Sequence, residues 1–173
     1  MKKRLVCGSA ALILTGLSFG MFASAGPGSS PSTAKGQSSN QSTATTSIDR
    51  GRYIVKVAGC NDCHTAGYAL SGGQTEEQHW LTGDSIGWSG PWGVTYAINL
   101  RLFMQSLTAE QWLKVARQPA RPPMPWFALR DMTDADLLAV YEYIRNLGPA
   151  GKETPAYLAP GVKATTPVVA FPG

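Results

Sequence analysis

The sequence predicts an all-α domain of about one hundred residues, and three observations carry that expectation. Apolar residues recur at helical spacing in three stretches, two of which open on capping sequences. No segment alternates apolar and polar residues long enough to argue for a sheet. The pentapeptide Cys60-Asn61-Asp62-Cys63-His64 follows the first helical stretch and offers a site around which so small a core can be built.

The chain begins with an export signal. Lys2, Lys3 and Arg4 form a positive start, residues 5–22 are uncharged and mostly apolar, and Ala23-Ser24-Ala25 is a small-residue cleavage motif. This places the signal at 1–25 and a mature start at Gly26. The uncharged stretch approaches the length of a membrane span, so retention as an anchor is the alternative. Gly8, Ser9, Thr15, Gly16, Ser18 and Gly20 dilute it and favour cleavage. Cys7 sits too early in the apolar region to be a lipoprotein cysteine and leaves with the signal. Residues 26–47 are Ser, Thr, Gly, Gln and Pro with no large apolar side chain, a composition that cannot offset its own ordering entropy. A disordered linker is expected there, then a domain at 48–149. The tail, 150–173, carries Pro155, Pro160, Pro167 and Pro172 and is expected to run extended over the surface.

Charge excludes one class of partner. The formal net charge is +4, from 15 basic and 11 acidic residues, but Lys2, Lys3 and Arg4 belong to the signal. The chain from Gly26 onward retains 12 basic residues against 11 acidic ones, and no Lys/Arg cluster remains to meet a nucleic acid.

The first helix is expected at 49–60, with Ser47 as a possible N-cap and Tyr53, Ile54, Val57 and Ala58 on one face. The second opens at Thr108-Ala109-Glu110-Gln111, a capping box, continues through Trp112, Val115 and Ala116, and stops before Pro119. The third is capped by Thr133 with Asp136 three residues on. Leu137, Val140, Tyr141, Ile144 and Leu147 keep its helical spacing, and Gly148-Pro149 ends it.

C-x-x-C-H is the attachment site of a c-type haem. Two thiols one helical turn apart each form a thioether to a haem vinyl group, and the adjacent His64 sits beneath the iron as proximal ligand. A thioredoxin-like dithiol would instead need a preceding buried strand, whereas residues 48–59 read as helix. Structural zinc needs four ligands, and beyond Cys60, Cys63 and His64 the chain after the signal offers only His79 as a further N/S donor of that kind. His79 lies in a polar stretch and reads as a surface histidine.

The order of amphipathic helix, C-x-x-C-H, long loop, short helix, Met-Pro loop and amphipathic C-terminal helix resembles the monohaem cytochrome c domain over residues 48–148. Gly93-Val94-Thr95-Tyr96-Ala97-Ile98-Asn99-Leu100 is similar to the G-x-x-Y-x-x-N-[IL] segment of cytochrome subunits of bacterial periplasmic dehydrogenases, and Pro123-Met124-Pro125-Trp126 to their axial-methionine loop. The resemblance implies a small helical domain wrapped around one covalent haem held by Cys60 and Cys63, with His64 and Met124 as axial ligands. It also places Trp126 and Tyr96 beside the cofactor, ahead of Trp80, Trp88, Trp92 and Trp112. One departure stands out: the family's proline-containing loop, which gives a carbonyl to the proximal His Nδ1–H, has no counterpart, because residues 65–90 contain no proline. An acceptor from the 83–88 stretch is expected in its place.

Met124 has rivals for the sixth position. Met1 and Met21 lie in the signal, Met104 precedes a capped helix and reads as core, and Met132 sits just before the N-cap Thr133, where an apolar residue packs back on its own helix. Pro122, Pro123 and Pro125 stiffen the chain around Met124, which favours it over Met132 and then His79.

The expected function is periplasmic electron transfer through one haem c, without bond chemistry of the protein's own. A dehydrogenase would be the donor, and an oxidase or another cytochrome the acceptor. A membrane tether arises only if the signal is retained. Two alternatives are a haem-c subunit of a membrane-associated dehydrogenase or oxidase complex, and, from a different class, a haem enzyme or gas sensor with an open sixth position.

Overall fold

A computed structural model describes residues 39–171. The expected signal, the linker as far as residue 38 and the last two residues lie outside the described residues. Six α-helices appear among the described residues, with one 3-10 turn at Glu77–His79: α1 Ser39–Val57, α2 Cys60–His64, α3 Leu100–Gln105, α4 Ala109–Ala116, α5 Trp126–Asp131 and α6 Asp134–Leu147. Three short strands join them: β1 Gly87–Gly90, β2 Gly93–Tyr96 and β3 Val168–Ala170. The protein is thus mainly helical, as expected, with a small sheet that was not.

Helix α1 starts earlier than expected and takes in residues 39–47, the end of the segment expected to be a disordered linker. Its buried face also differs. Ile54 and Val55 are buried with Gly51, while Tyr53 and Val57 are exposed. The reason is Gly51: a Cβ there would lie 2.0 Å from the Ala139 carbonyl oxygen, so α1 and α6 cross in backbone contact. A face centred on glycine carries no hydrophobic signature.

Helices α4 and α6 match their expected caps. Thr108 accepts from Gln111 N–H while the Gln111 side chain accepts from Thr108 N–H, and Thr133 accepts from Asp136 N–H. Leu137, Val140, Tyr143 and Ile144 of α6 enter the core with Val55, Trp80, Leu81, Met104 and Trp112. Val115 of α4 does not; it remains exposed. Buried Arg101 donates to the carbonyls of Leu147, Gly148 and Gln78, placing a cation at the α6 C terminus, where the helix dipole favours it. Beside α1, Glu77 accepts from Arg52 and from the Tyr143 hydroxyl at 2.7 Å.

Strands β1 and β2 form an antiparallel hairpin, and β3 pairs parallel with β1, giving the order β2-β1-β3. The tail therefore returns into the sheet instead of merely lying over the surface.

Candidate cofactor site

Helix α2 is a single turn, set apart from α1 by Gly59 at φ 72°. That left-handed residue lets the chain change direction and begin a new helix at Cys60. Cys60 and Cys63 then lie one turn apart on α2, both as free, half-buried thiols. Burial pushes the Cys60 thiol up to about 11 and raises Cys63 as well, with the Asp62 carboxylate adding to both. An oxidoreductase dithiol needs a thiolate stabilised at neutral pH, so this environment opposes that alternative.

His64 is buried, and its Nδ1 lies 2.8 Å from the Ile98 carbonyl oxygen. A carbonyl only accepts, so Nδ1 carries the hydrogen and Nε2 keeps its lone pair. Burial holds the imidazole pKa below its ordinary value, partly opposed by the Ile98 hydrogen bond, which leaves the ring neutral at physiological pH. Among the described residues Nε2 has no hydrogen-bond partner. A neutral imidazole fixed through one nitrogen with the other free is the form a metal ligand takes.

The acceptor for His64 corrects the expectation of the 83–88 stretch. That stretch instead holds the backbone of the site: Gly83 N–H donates to the His64 carbonyl at 2.7 Å, and Thr65 bridges to Gly83. Thr65 Oγ1 accepts from Leu81 N–H at 2.8 Å and donates to Asn61 Oδ1 at 2.7 Å, binding α2 to the same loop. Ile98 is placed by its neighbour. Buried Asn99 caps α3 by accepting from Leu102 N–H, and its amide donates to the carbonyls of Ala150 and Lys152. Sequence reasoning had no route to Ile98, whose part is played by its backbone; the Asn99 that follows it lies in the segment singled out by resemblance.

The remaining candidates separate. Met104 is buried in the core, as expected, and Met132 packs against the core from the end of α5. His79 is exposed. Met124 is half-buried in the segment before α5 and is not part of the core cluster. Tyr96 is buried with its hydroxyl on Thr166 Oγ1, and Trp126 lies under the Arg130 guanidinium. Trp80 and Trp112 spend their indole N–H groups on the carbonyls of Thr75 and Leu137, which makes them structural. Among the described residues no three His, Cys, Asp or Glu side chains gather as a metal-ion site.

A family model described as Cytochrome c matches residues 48–148. The chain belongs to the cytochrome c family. Its cofactor is covalently bound haem c, and the two free thiols with an adjacent neutral imidazole are the donor set that group requires. The chain is also 32% identical over 109 residues to the fructose dehydrogenase cytochrome subunit of Gluconobacter japonicus. That similarity covers 57% of this chain and 21% of the relative, so the chain spans about a fifth of the relative's length. No solved structure matches the chain. The cytochrome c family match supports electron transfer as the role of this domain.

Proposed function

We propose that the protein is a periplasmic single-electron carrier in which Cys60 and Cys63 hold one haem c by thioethers and His64 and Met124 are its axial ligands. The observation that carries this reading is the His64 geometry: Nδ1–H spent on the Ile98 carbonyl and Nε2 free, one residue beyond the second thiol. When bound, the haem supplies a one-electron couple between Fe(III) and Fe(II). The chain keeps the ligand set fixed, so that little rearrangement accompanies the electron. The Ile98 carbonyl orients the His64 ring, and the Thr65, Leu81 and Gly83 hydrogen bonds hold the helix that bears it. Met124 is favoured because Met104 and Met132 are engaged with the core whereas Met124 is not. Its soft thioether would raise the reduction potential relative to a second imidazole. Ile98, whose carbonyl accepts from His64, is itself 42% exposed and offers apolar surface next to the histidine for a hydrophobic cofactor to cover.

The signal reading of residues 1–25 supports export to the periplasm, where the haem would be attached. Similarity to a dehydrogenase cytochrome subunit favours a second arrangement, in which this domain works as the haem-c subunit of a dehydrogenase complex. Either way the donor is a dehydrogenase and the acceptor an oxidase or another cytochrome, and the protein carries electrons without catalysing a reaction of its own.

Carbon monoxide tests the ligand set. The reduced protein should show a low-spin six-coordinate spectrum that the gas leaves unchanged at neutral pH. Ready binding to the parent protein would instead establish an open sixth position and the haem-enzyme or gas-sensor class.

A further inference from the structure

The family match ends at residue 148, yet the chain beyond it is bound firmly into the domain. Leu158 and Val94 exchange both backbone hydrogen bonds, at 2.8 and 3.0 Å, and β3 pairs with β1 further on. Immediately before Leu158, Tyr157 meets the segment that carries Met124. The Arg121 guanidinium lies over the Tyr157 ring, 4.1 Å from its centroid, and the Tyr157 hydroxyl donates to the Trp92 carbonyl at 2.8 Å. The Arg121 carbonyl in turn accepts from Met124 N–H at 3.2 Å. Among the described residues Arg121 forms no ion pair, so its charge is engaged by the aromatic face.

We propose that Tyr157 and Arg121 are positioning residues for Met124, and that the C-terminal tail is a strap holding the Met124 loop in its iron-ligating arrangement. The inference rests on Met124 being the sixth ligand. Its physical basis is preorganisation: a loop tied to a hairpin through a cation–π contact and a hydrogen bond has fewer arrangements in which the thioether lies away from the iron.

Imidazole added to the ferric holoprotein reads this directly, because it binds only when the methionine has left, and its apparent affinity follows the open fraction. Tyr157→Leu and Arg121→Gln should each tighten imidazole binding about three- to tenfold, the weight of one exposed cation–π contact with or without a neutral hydrogen bond. Arg121→Lys, which retains the cation, should stay close to the parent. Phe171→Ser, which loosens the tail at its packing on Trp88 and Trp92, should change the affinity less than twofold. Unchanged affinity in both Tyr157→Leu and Arg121→Gln overturns the strap. An equal effect from Phe171→Ser overturns its assignment to this pair. Met124→Ala separates the two levels of the argument: it should bind imidazole far more tightly than any of these variants. Parent-like affinity in Met124→Ala would instead overturn the ligand assignment itself.

Discussion

Replacing Asn99 by Ala removes three hydrogen bonds from one buried position, only 2% exposed, next to the residue whose carbonyl orients His64. The lost acceptor on Leu102 N–H is a helix N-cap, worth about 1 kcal/mol. Each amide bond, to Ala150 O at 2.8 Å and Lys152 O at 3.2 Å, adds about 1 kcal/mol. The sum is about 3 kcal/mol, or on the order of 10 °C in Tm for a domain of this size. Asn99→Asp is the informative partner variant. It keeps the cap acceptor but aims a buried carboxylate at two carbonyl oxygens, so at neutral pH it should be at least as unstable as Asn99→Ala despite retaining the cap. Acidification should narrow its deficit, because a protonated carboxyl can donate one of the lost bonds. Denaturant unfolding of the holoprotein, followed by circular dichroism, measures both variants. If Asn99→Ala loses less than about 0.5 kcal/mol, the reasoning that this residue anchors the tail and the Ile98 segment fails.

Met124→Ala should open the sixth position, lower the reduction potential and admit carbon monoxide, whereas Met132→Ala should keep the parent spectrum and cost about 1–3 kcal/mol of stability through lost packing; redox titration with thermal unfolding of both variants decides between them. Gly51→Ala forces a methyl into the Ala139 carbonyl oxygen and should cost about 3 kcal/mol or more, seen as reduced yield and Tm. Glu77 has its carboxyl pKa depressed, first by the Arg52 hydrogen bond and then by the Tyr143 hydroxyl against opposing burial. Its contribution is therefore present above the ordinary glutamate value near 4.5 and lost as pH falls through the lower folded value. Glu77→Gln should thus be less stable than the parent at neutral pH, with the gap closing below that window in pH-dependent unfolding curves.

How much of this was legible in the chain follows from where each signal resides. Covalent attachment needs two thiols and an imidazole at fixed spacing, so Cys60, Cys63 and His64 were readable directly. Helices α4 and α6 were readable because Thr108 and Thr133 cap them through side chains within the same few residues. Helices α3 and α5 span six residues each, too few for periodicity to show. Strands β1 and β2 have four residues each, rich in glycine, and β3 finds its partner about eighty residues away, so the sheet left no local alternation. The buried face of α1 carries no apolar signature at its closest approach to α6, because Gly51 makes that contact. The acceptor for His64 is a backbone carbonyl, which any residue at position 98 would supply, and only the folded chain reveals it.

The most direct test of the haem-carrying site is the intact mass of the exported protein under denaturing conditions, taken with its reduced spectrum. The account predicts a chain beginning at Gly26, heavier by one haem that denaturation does not remove, and a low-spin spectrum. Cys60→Ser combined with Cys63→Ser should lose that added mass. A parent protein that releases its haem on denaturation, or a double variant that retains it, would contradict covalent attachment at these two cysteines.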